Sequence, residues 1–399
     1  MSLIAFSGTI QPLVNMRTPI YIFLLGISLA LICLKKAKIR LNNVIQIQWI
    51  ILVTYLALGL IYTIDTNKLI LVLLQYLFYI FLLIMNFKYE FYKKALDIIL
   101  LICTVLGIIV IITIIDNNFI VNNFSFLYAE STLKSIIGRT SGNAYGGILG
   151  EVAYSAFAMN IGIAIIVSKY LSRQKLSVLN LIQLIIFMIG IMVSFKRSLL
   201  LIPIFAFFLL FLISKKKHKM KNIIKLFTVL MGIVIIILAI FPEALDTLGR
   251  FGSETANGDV LNGRTELWKY SFDMFSQNPI FGLGYSSYTE YCYSQGYYWN
   301  YLAHNIYIEL LGEVGIIGFT LFIIFFMNAL AKTVKAIKKE ENEEKLYLLY
   351  FSLFMQIVFL IYGLTGNPLY FPQQMIIYML CISILSNIGT KQKEHLNNV

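Results

Sequence analysis

"LNLIQLIIFMIGIMVSFKRSLLLIPIFAFFLLFLIS", residues 179–214, is a run of 36 residues whose only charges are Lys196 and Arg197 at its middle. As one straight helix it would extend about 54 Å, nearly twice the roughly 30 Å hydrocarbon core of a bilayer. The run therefore predicts two membrane-crossing helices, folded back on each other around "SFKRS" at 194–198. That reading sets the scale for the rest of the chain.

Apolar blocks of similar length recur throughout the 399 residues, which are 59% hydrophobic and 13% charged. They fall near 18–34, 44–64, 69–87, 95–115, 152–168, 179–195, 198–214, 226–241, 314–331, 346–365 and 374–388. Runs this long, without two-residue alternation, favour helices over barrel strands, because a helix satisfies its own backbone in lipid. The expected fold is an all-α polytopic membrane protein of about 11 (11–12) transmembrane helices with one large extracytoplasmic loop carrying short helices. An N-terminal bundle over 1–241, with an outer segment at 116–151, is followed by the large loop at 242–313 and C-terminal spans and tail over 314–399. The first sixteen residues lack a basic start and do not read as a cleaved signal peptide.

Basic residues recur after every second span: Lys35, Lys36, Lys38 and Arg40; Lys88, Lys93 and Lys94; then 215–225 and 332–345. They mark one face as cytoplasmic, with the N-terminus outside and the C-terminus inside. The net charge of +12 then faces an anionic leaflet, so no nucleic-acid partner is implied. Five of the seven arginines, Arg17, Arg139, Arg197, Arg250 and Arg264, fall on the other side. Lysine sets the topology, whereas a planar guanidinium binds phosphate with two parallel bonds that an ammonium cannot reproduce. Snorkelling at helix ends or a loop salt bridge is the plain alternative for any one of them. Positive charge at the tip formed by Lys196 and Arg197 opposes the topology rule, which favours a functional reason over a stop signal.

Residues 242–313 hold the longest polar passage. "RTELWKYSFDMF" at 264–275 places Leu267, Trp268, Phe272 and Phe275 on one side at helical spacing, and Asn278 with Pro279 ends the helix. Such a helix suits a membrane surface, with Arg264 beside an exposed N-terminus as an anion site. From Tyr285 to Tyr301 come seven tyrosines and Trp299, either a set of flat rings for sugar faces or an interfacial aromatic belt. His304 is the only histidine expected outside, and it opens the helix leading into the ninth span. A histidine there titrates near neutral pH and suits proton transfer; a merely hydrogen-bonded ring is the alternative.

The cysteines, at 33, 103, 292 and 381, offer no disulfide framework or paired metal motif. Phosphate-loop, HExxH, GxSxG and paired-aspartate signatures do not occur. The spans are nearly free of ionisable residues, with Asp97 the main exception, which argues against an ion-coupled transporter.

"GRTELW" at 263–268, "NPIFGLG" at 278–284, "HNIYIELLGEVGIIG" at 304–318 and "SFKRS" together resemble the O-antigen ligase and polymerase superfamily. Lysine beside Arg197, and eleven spans rather than about twelve, depart from the family pattern. The resemblance implies a metal-independent, GT-C-like glycosyltransferase acting outside the cytoplasmic membrane on undecaprenyl-pyrophosphate-linked oligosaccharides, without a cofactor. By it, His304 deprotonates or orients the acceptor hydroxyl, while Arg264 and Arg197 match the leaving pyrophosphate. Arg139, Arg250 and Lys196 stand next in line, Tyr298 and Trp299 hold sugars, and Glu309 tunes the histidine or is only a surface acid. The expected activity is repeat-unit polymerisation for O-antigen or capsule. A ligase or protein oligosaccharyltransferase of the same superfamily is the alternative, and a flippase is the alternative from another class. Membrane lipids, a chain-length regulator and a flippase are the expected partners.

Overall fold

The computed structural model of the chain describes residues 2–34, 41, 43–214, 264–297 and 302–388. Among these the structure is all helical. The principal helices are α1 (Gln11–Cys33), α2 (Val44–Leu58), α3 (Thr66–Ile84), α4 (Tyr89–Ile115), α5 (Glu130–Ser141), α6 (Val152–Leu171), α7 (Val178–Met192), α8 (Arg197–Ile213), α9 (Arg264–Gln277), α10 (Tyr288–Ser294), α11 (Ile306–Lys339), α12 (Glu343–Tyr362) and α13 (Pro372–Ile388). Among the described residues, seven helices are long and apolar enough to cross a membrane: α1, α2 with its 3-10 extension to Ile61, α3, α4, α6, α11 and α12. The shorter α7, α8 and α13 are also apolar. Ten of the expected spans thus coincide with helices. The eleventh, at 226–241, lies outside the described residues, as do 242–263 of the expected loop.

The described helices fall into two compact units, each assembled from separated stretches of chain. The first comprises Met1–Asn15, Tyr89–Val260 and Ile337–Val358. Its core joins α4, α6, α7 and α8. The hairpin expected at 179–214 is present, since α7 ends at Met192 and α8 begins at Arg197. At 15 and 17 residues, the two helices extend about 23 and 26 Å. α7 starts on a reciprocal cap in which the Asn180 amide N–H donates to Ser177 Oγ and the Ser177 N–H to Asn180 Oδ1, both at 3.2 Å.

Polar side chains within these apolar helices point between helices and bond there, as membrane packing requires. Asn160 of α6 donates through Nδ2 to the Leu199 carbonyl of α8 at 2.9 Å, and Gln183 Nε2 donates to Thr104 Oγ1 at 3.0 Å. The hairpin tip is in turn tied to the 139–150 segment, because the Tyr145 N–H donates to the Val193 carbonyl at 3.0 Å.

The second unit comprises Met16–Lys88, Leu261–Ala336 and Phe359–Val399. Trp49 of α2, fully buried, donates through Nε1 to the Tyr76 carbonyl of α3 at 3.3 Å. α13 is buried from Gln373 to Ile388 and is held to α3 and its C-terminal cap by bonds from Ser383 Oγ to Leu82 O (2.9 Å) and from Asn387 Nδ2 to Met85 O (3.1 Å). α11 is not one regular helix: Gly315, at φ 59° and ψ −170°, breaks it. A break of this kind frees backbone groups that a lipid environment cannot satisfy, so something else must satisfy them.

Candidate functional site

What satisfies the break is the glycine turn of the 278–284 segment. Beyond the kink, the Ile316 and Ile317 N–H groups donate to the carbonyls of Pro279 (2.9 Å) and Ile280 (3.3 Å). Before it, the Gly312 and Glu313 carbonyls accept from the N–H groups of Leu283 (3.3 Å) and Gly284 (2.8 Å). The backbones approach so closely that a Cβ on Gly282 would collide with the Glu313 carbonyl, and one on Gly315 with the Ile280 carbonyl. Both glycines also have positive φ, 71° and 59°, where a side chain is disfavoured. "NPIFGLG" and "GEVGIIG" therefore form one structural device.

α9 packs against the same region. It starts at Arg264 and ends at Gln277, as Asn278 and Pro279 predict. Phe272, on the side that the sequence assigns to a membrane surface, is 49% exposed, whereas Leu267, Ser271 and Met274 are buried. The reason is close backbone approach at Gly312, where an added Cβ would lie 2.5 Å from the Ser271 carbonyl oxygen. Trp268, one turn after Arg264, donates through Nε1 to the Ala303 carbonyl at 2.9 Å. The helix that begins with Arg264 is thereby bonded to the residue preceding His304.

His304 occupies a sharp bend. Its φ is 53°, a left-handed conformation that costs a non-glycine residue about 1 kcal/mol or more. The surroundings fix that bend from both sides. The Ala303 N–H donates to Glu309 Oε2 at 2.8 Å. Asn305 caps α11, with Oδ1 accepting from the N–H groups of Tyr307 (3.0 Å) and Ile308 (3.3 Å), and the Ile306 N–H donates to Gly363 O at 2.8 Å. The His304 ring is half-buried at this corner.

Glu309 is fully buried, which removes the reading of it as a surface acid. Its Oε2 also accepts from Asn367 Nδ2 at 2.6 Å. One turn on, Glu313 is equally buried and accepts at both oxygens: Oε1 from the Tyr288 N–H, and Oε2 from the Ser286 N–H and the Tyr370 hydroxyl, each at 2.9 Å. Burial, and then the Glu313 and Glu309 carboxylates, push the Tyr370 phenol up, so it remains a donor. Glu313, Asn367 and Tyr370 were not singled out by sequence. The one signal for them was an acid followed by Val-Gly at the threshold of an apolar span.

Tyr285, Tyr288 and Tyr291 are buried rather than offered as a sugar platform. Their hydroxyls bond within the fold, to Tyr76 Oη (2.7 Å), the Leu267 carbonyl (2.7 Å) and Gln277 Nε2 (2.7 Å) respectively. Tyr298, Trp299 and Arg250 lie outside the described residues. Cys292 sits in the same small core, where burial pushes its thiol up to about 11. At pH 8 about 0.1% of such a thiol is thiolate, against roughly a quarter of an ordinary one. Maleimide labelling of Cys292 in the folded protein is accordingly expected to be at least about a hundredfold slower than in urea, as mass spectrometry of the 288–297 peptide would read.

Arg139, Lys196 and Arg197 belong to the first unit. Lys196 precedes α8 and Arg197 is its first residue. Arg139 ends α5 with Nη2 at 2.6 Å from Glu151 Oε2 and Nη1 donating to the Gly150 carbonyl at 3.3 Å. It lines a hollow of about 10 Å³ with Thr113, Asn117, Thr140 and Tyr145, room for one water molecule. A phosphate reaching Arg139 would have to replace Glu151.

Two features thus combine in the second unit: an arginine-initiated helix bonded to a left-handed histidine corner, and a kinked helix whose buried acids hold the turns around them. No match is found among curated proteins. The family model described as O-Antigen ligase matches residues 182–323, a stretch that holds Arg197, Arg264 and His304 and is similar to that family.

Proposed function

We propose that the protein is a multi-pass inner-membrane glycosyltransferase that joins undecaprenyl-pyrophosphate-linked repeat units at the extracytoplasmic face. The observation that carries this reading is the link from Arg264 through Trp268 and Ala303 to His304, inside the stretch matched by the family. In the reaction, the acceptor hydroxyl attacks the anomeric carbon of the donor sugar as its proton passes to the His304 ring. The bond from that carbon to the pyrophosphate oxygen breaks, and its electron pair leaves with the carrier pyrophosphate. Arg264 matches the charge that grows on this leaving group, which is where fixed donors gain most over the ground state. Attack on the face opposite the leaving group inverts the anomeric centre.

The left-handed corner supports this role because a strained residue persists only where its surroundings hold it, and such positions cluster at reacting centres. Arg139, Arg197, Arg250 and Lys196 would bind phosphate or sugar acids, with Tyr298 and Trp299 against sugar rings. A chain-length regulator and a flippase are the proposed protein partners.

Reconstitution with lipid-linked repeat units on one side of the vesicle tests the class. Chain growth without lipid crossing is the expected result; crossing without growth would make the protein a flippase. Surface polysaccharide from a deletion strain then separates the activities within the superfamily. Single repeats left on the carrier are expected for a polymerase, and long unattached chains would instead identify a ligase.

A further inference from the structure

We propose that Glu309 and Glu313 are positioning residues, each holding one left-handed bend beside the reacting centre, and that Glu309 does so through a single carboxylate oxygen. This rests on the reading of His304 as the proton acceptor.

A buried carboxylate is tolerated only when donors surround it. The donors here are backbone N–H groups, one amide side chain and one phenol. The backbone donors are not scattered. Glu309 takes the N–H of Ala303, immediately before His304 at φ 53°. Glu313 takes the N–H groups of Ser286, itself at φ 67°, and of Tyr288. These are two of the five non-glycine residues with positive φ among the described residues, and one helix holds both. Neither of the bonds to Glu309 comes from the His304 ring, so its influence on that ring runs through the backbone.

The two acids differ in a way that an isosteric substitution detects. Glu313 accepts at both oxygens, so a glutamine there must turn its NH₂ toward a donor. Glu309 accepts only at Oε2; its Oε1 is buried without a partner among the described residues. A glutamine at 309 can place its carbonyl oxygen where Oε2 stands and keep both bonds. Glutamine preserves the clamp and removes the charge at 309, whereas at 313 it breaks the clamp.

The test uses the full chain in detergent for amide hydrogen exchange over 284–308. Its companion is chain growth on carrier-linked oligosaccharide extracted from a strain deleted for this chain, followed across pH. Glu309→Ala is expected to speed Ala303 exchange and to lower chain growth, each at least about tenfold, by releasing the bend. Glu309→Gln rescues both to within about threefold of the parent with an unshifted pH profile, because the neutral amide accepts the same bonds. Glu313→Gln speeds exchange at Ser286 and Tyr288 by about tenfold or more. A Glu309→Gln protein with protected Ala303 but the activity of Glu309→Ala would overturn the proposal in favour of a role for charge. Unchanged exchange in Glu309→Ala would also overturn it, and this readout needs only folded protein if Glu313→Gln fails to accumulate. Full chain growth in His304→Ala would sink the reading of the histidine instead, leaving the clamp to be decided by exchange alone.

Discussion

Replacing Arg264 with alanine is expected to cut chain growth at least a hundredfold while the protein remains folded in the membrane. Removing one preorganised donor from a developing anion costs about 2–4 kcal/mol at the transition state. A cation at the first residue of a helix opposes the positive end of the helix dipole by about 0.3–1 kcal/mol, so Arg264 contributes nothing favourable to α9 on that account. The packing of α9 rests on Leu267, Ser271 and Met274 instead. Arg264→Lys keeps the charge and loses the planar fork, and it is expected to recover little if two parallel bonds to phosphate are needed. Quantifying glycan ladders against the amount of membrane-inserted protein separates the cases. Normal long chains from Arg264→Ala would remove this residue from the reaction, and full activity of the lysine variant would show that charge suffices.

The largest structural effect is expected at Gly315. With φ 59° and ψ −170°, it lies in a backbone region that is essentially restricted to glycine, costing other residues about 1–3 kcal/mol. A Cβ would also collide with the Ile280 carbonyl, adding overlap to conformational strain. Gly315→Ala therefore forces apart the four hydrogen bonds between the turn and the kink, exposing backbone groups near lipid. We expect the unfolding temperature of the detergent-solubilised protein to fall by about 10 °C or more, on the scale of roughly 2–4 °C per kcal/mol for a domain of this size. Gly138→Ala is the control. That glycine is exposed in α5 with open space around it, and alanine there favours the helix by up to about 1 kcal/mol. Equal stability of the two variants would contradict the account of the kink.

The spans were legible because a membrane reads length and polarity, both local properties of a sequence. Ten helices coincide with apolar blocks, and the hairpin at 179–214 turns within the Lys196–Arg197 region, as its excess length requires. The end of α9 at Asn278–Pro279 was equally local. The candidate site was legible only in part. His304 and Arg264 stood out by residue type in their surroundings, but the groups holding the His304 corner come from far along the chain: Asn367 bonds Glu309 across 58 residues, and Tyr370 bonds Glu313 across 57. No periodicity encodes such pairs. The tyrosine run misled for a related reason. Ring count reveals amphipathic surface but not which rings turn inward, and Tyr285, Tyr288 and Tyr291 are fastened into the core by partners at Tyr76, Leu267 and Gln277. On α9, hydrophobicity marks the side of Phe272 but not the protein contact at Ser271, whose carbonyl lies where only a glycine at 312 leaves room.

Because a stretch of loop replaces the missing rungs of α11, the two pieces of chain share one register. An insertion of a single residue between Pro279 and Gly284 would mispair every rung at once, whereas additional residues between Ser294 and Leu302 would leave the rungs untouched. During synthesis the 278–284 turn emerges before α11, so that helix reaches its final shape only after the turn has folded back to meet it. Placement of the turn and completion of the helix are, in that sense, a single assembly step.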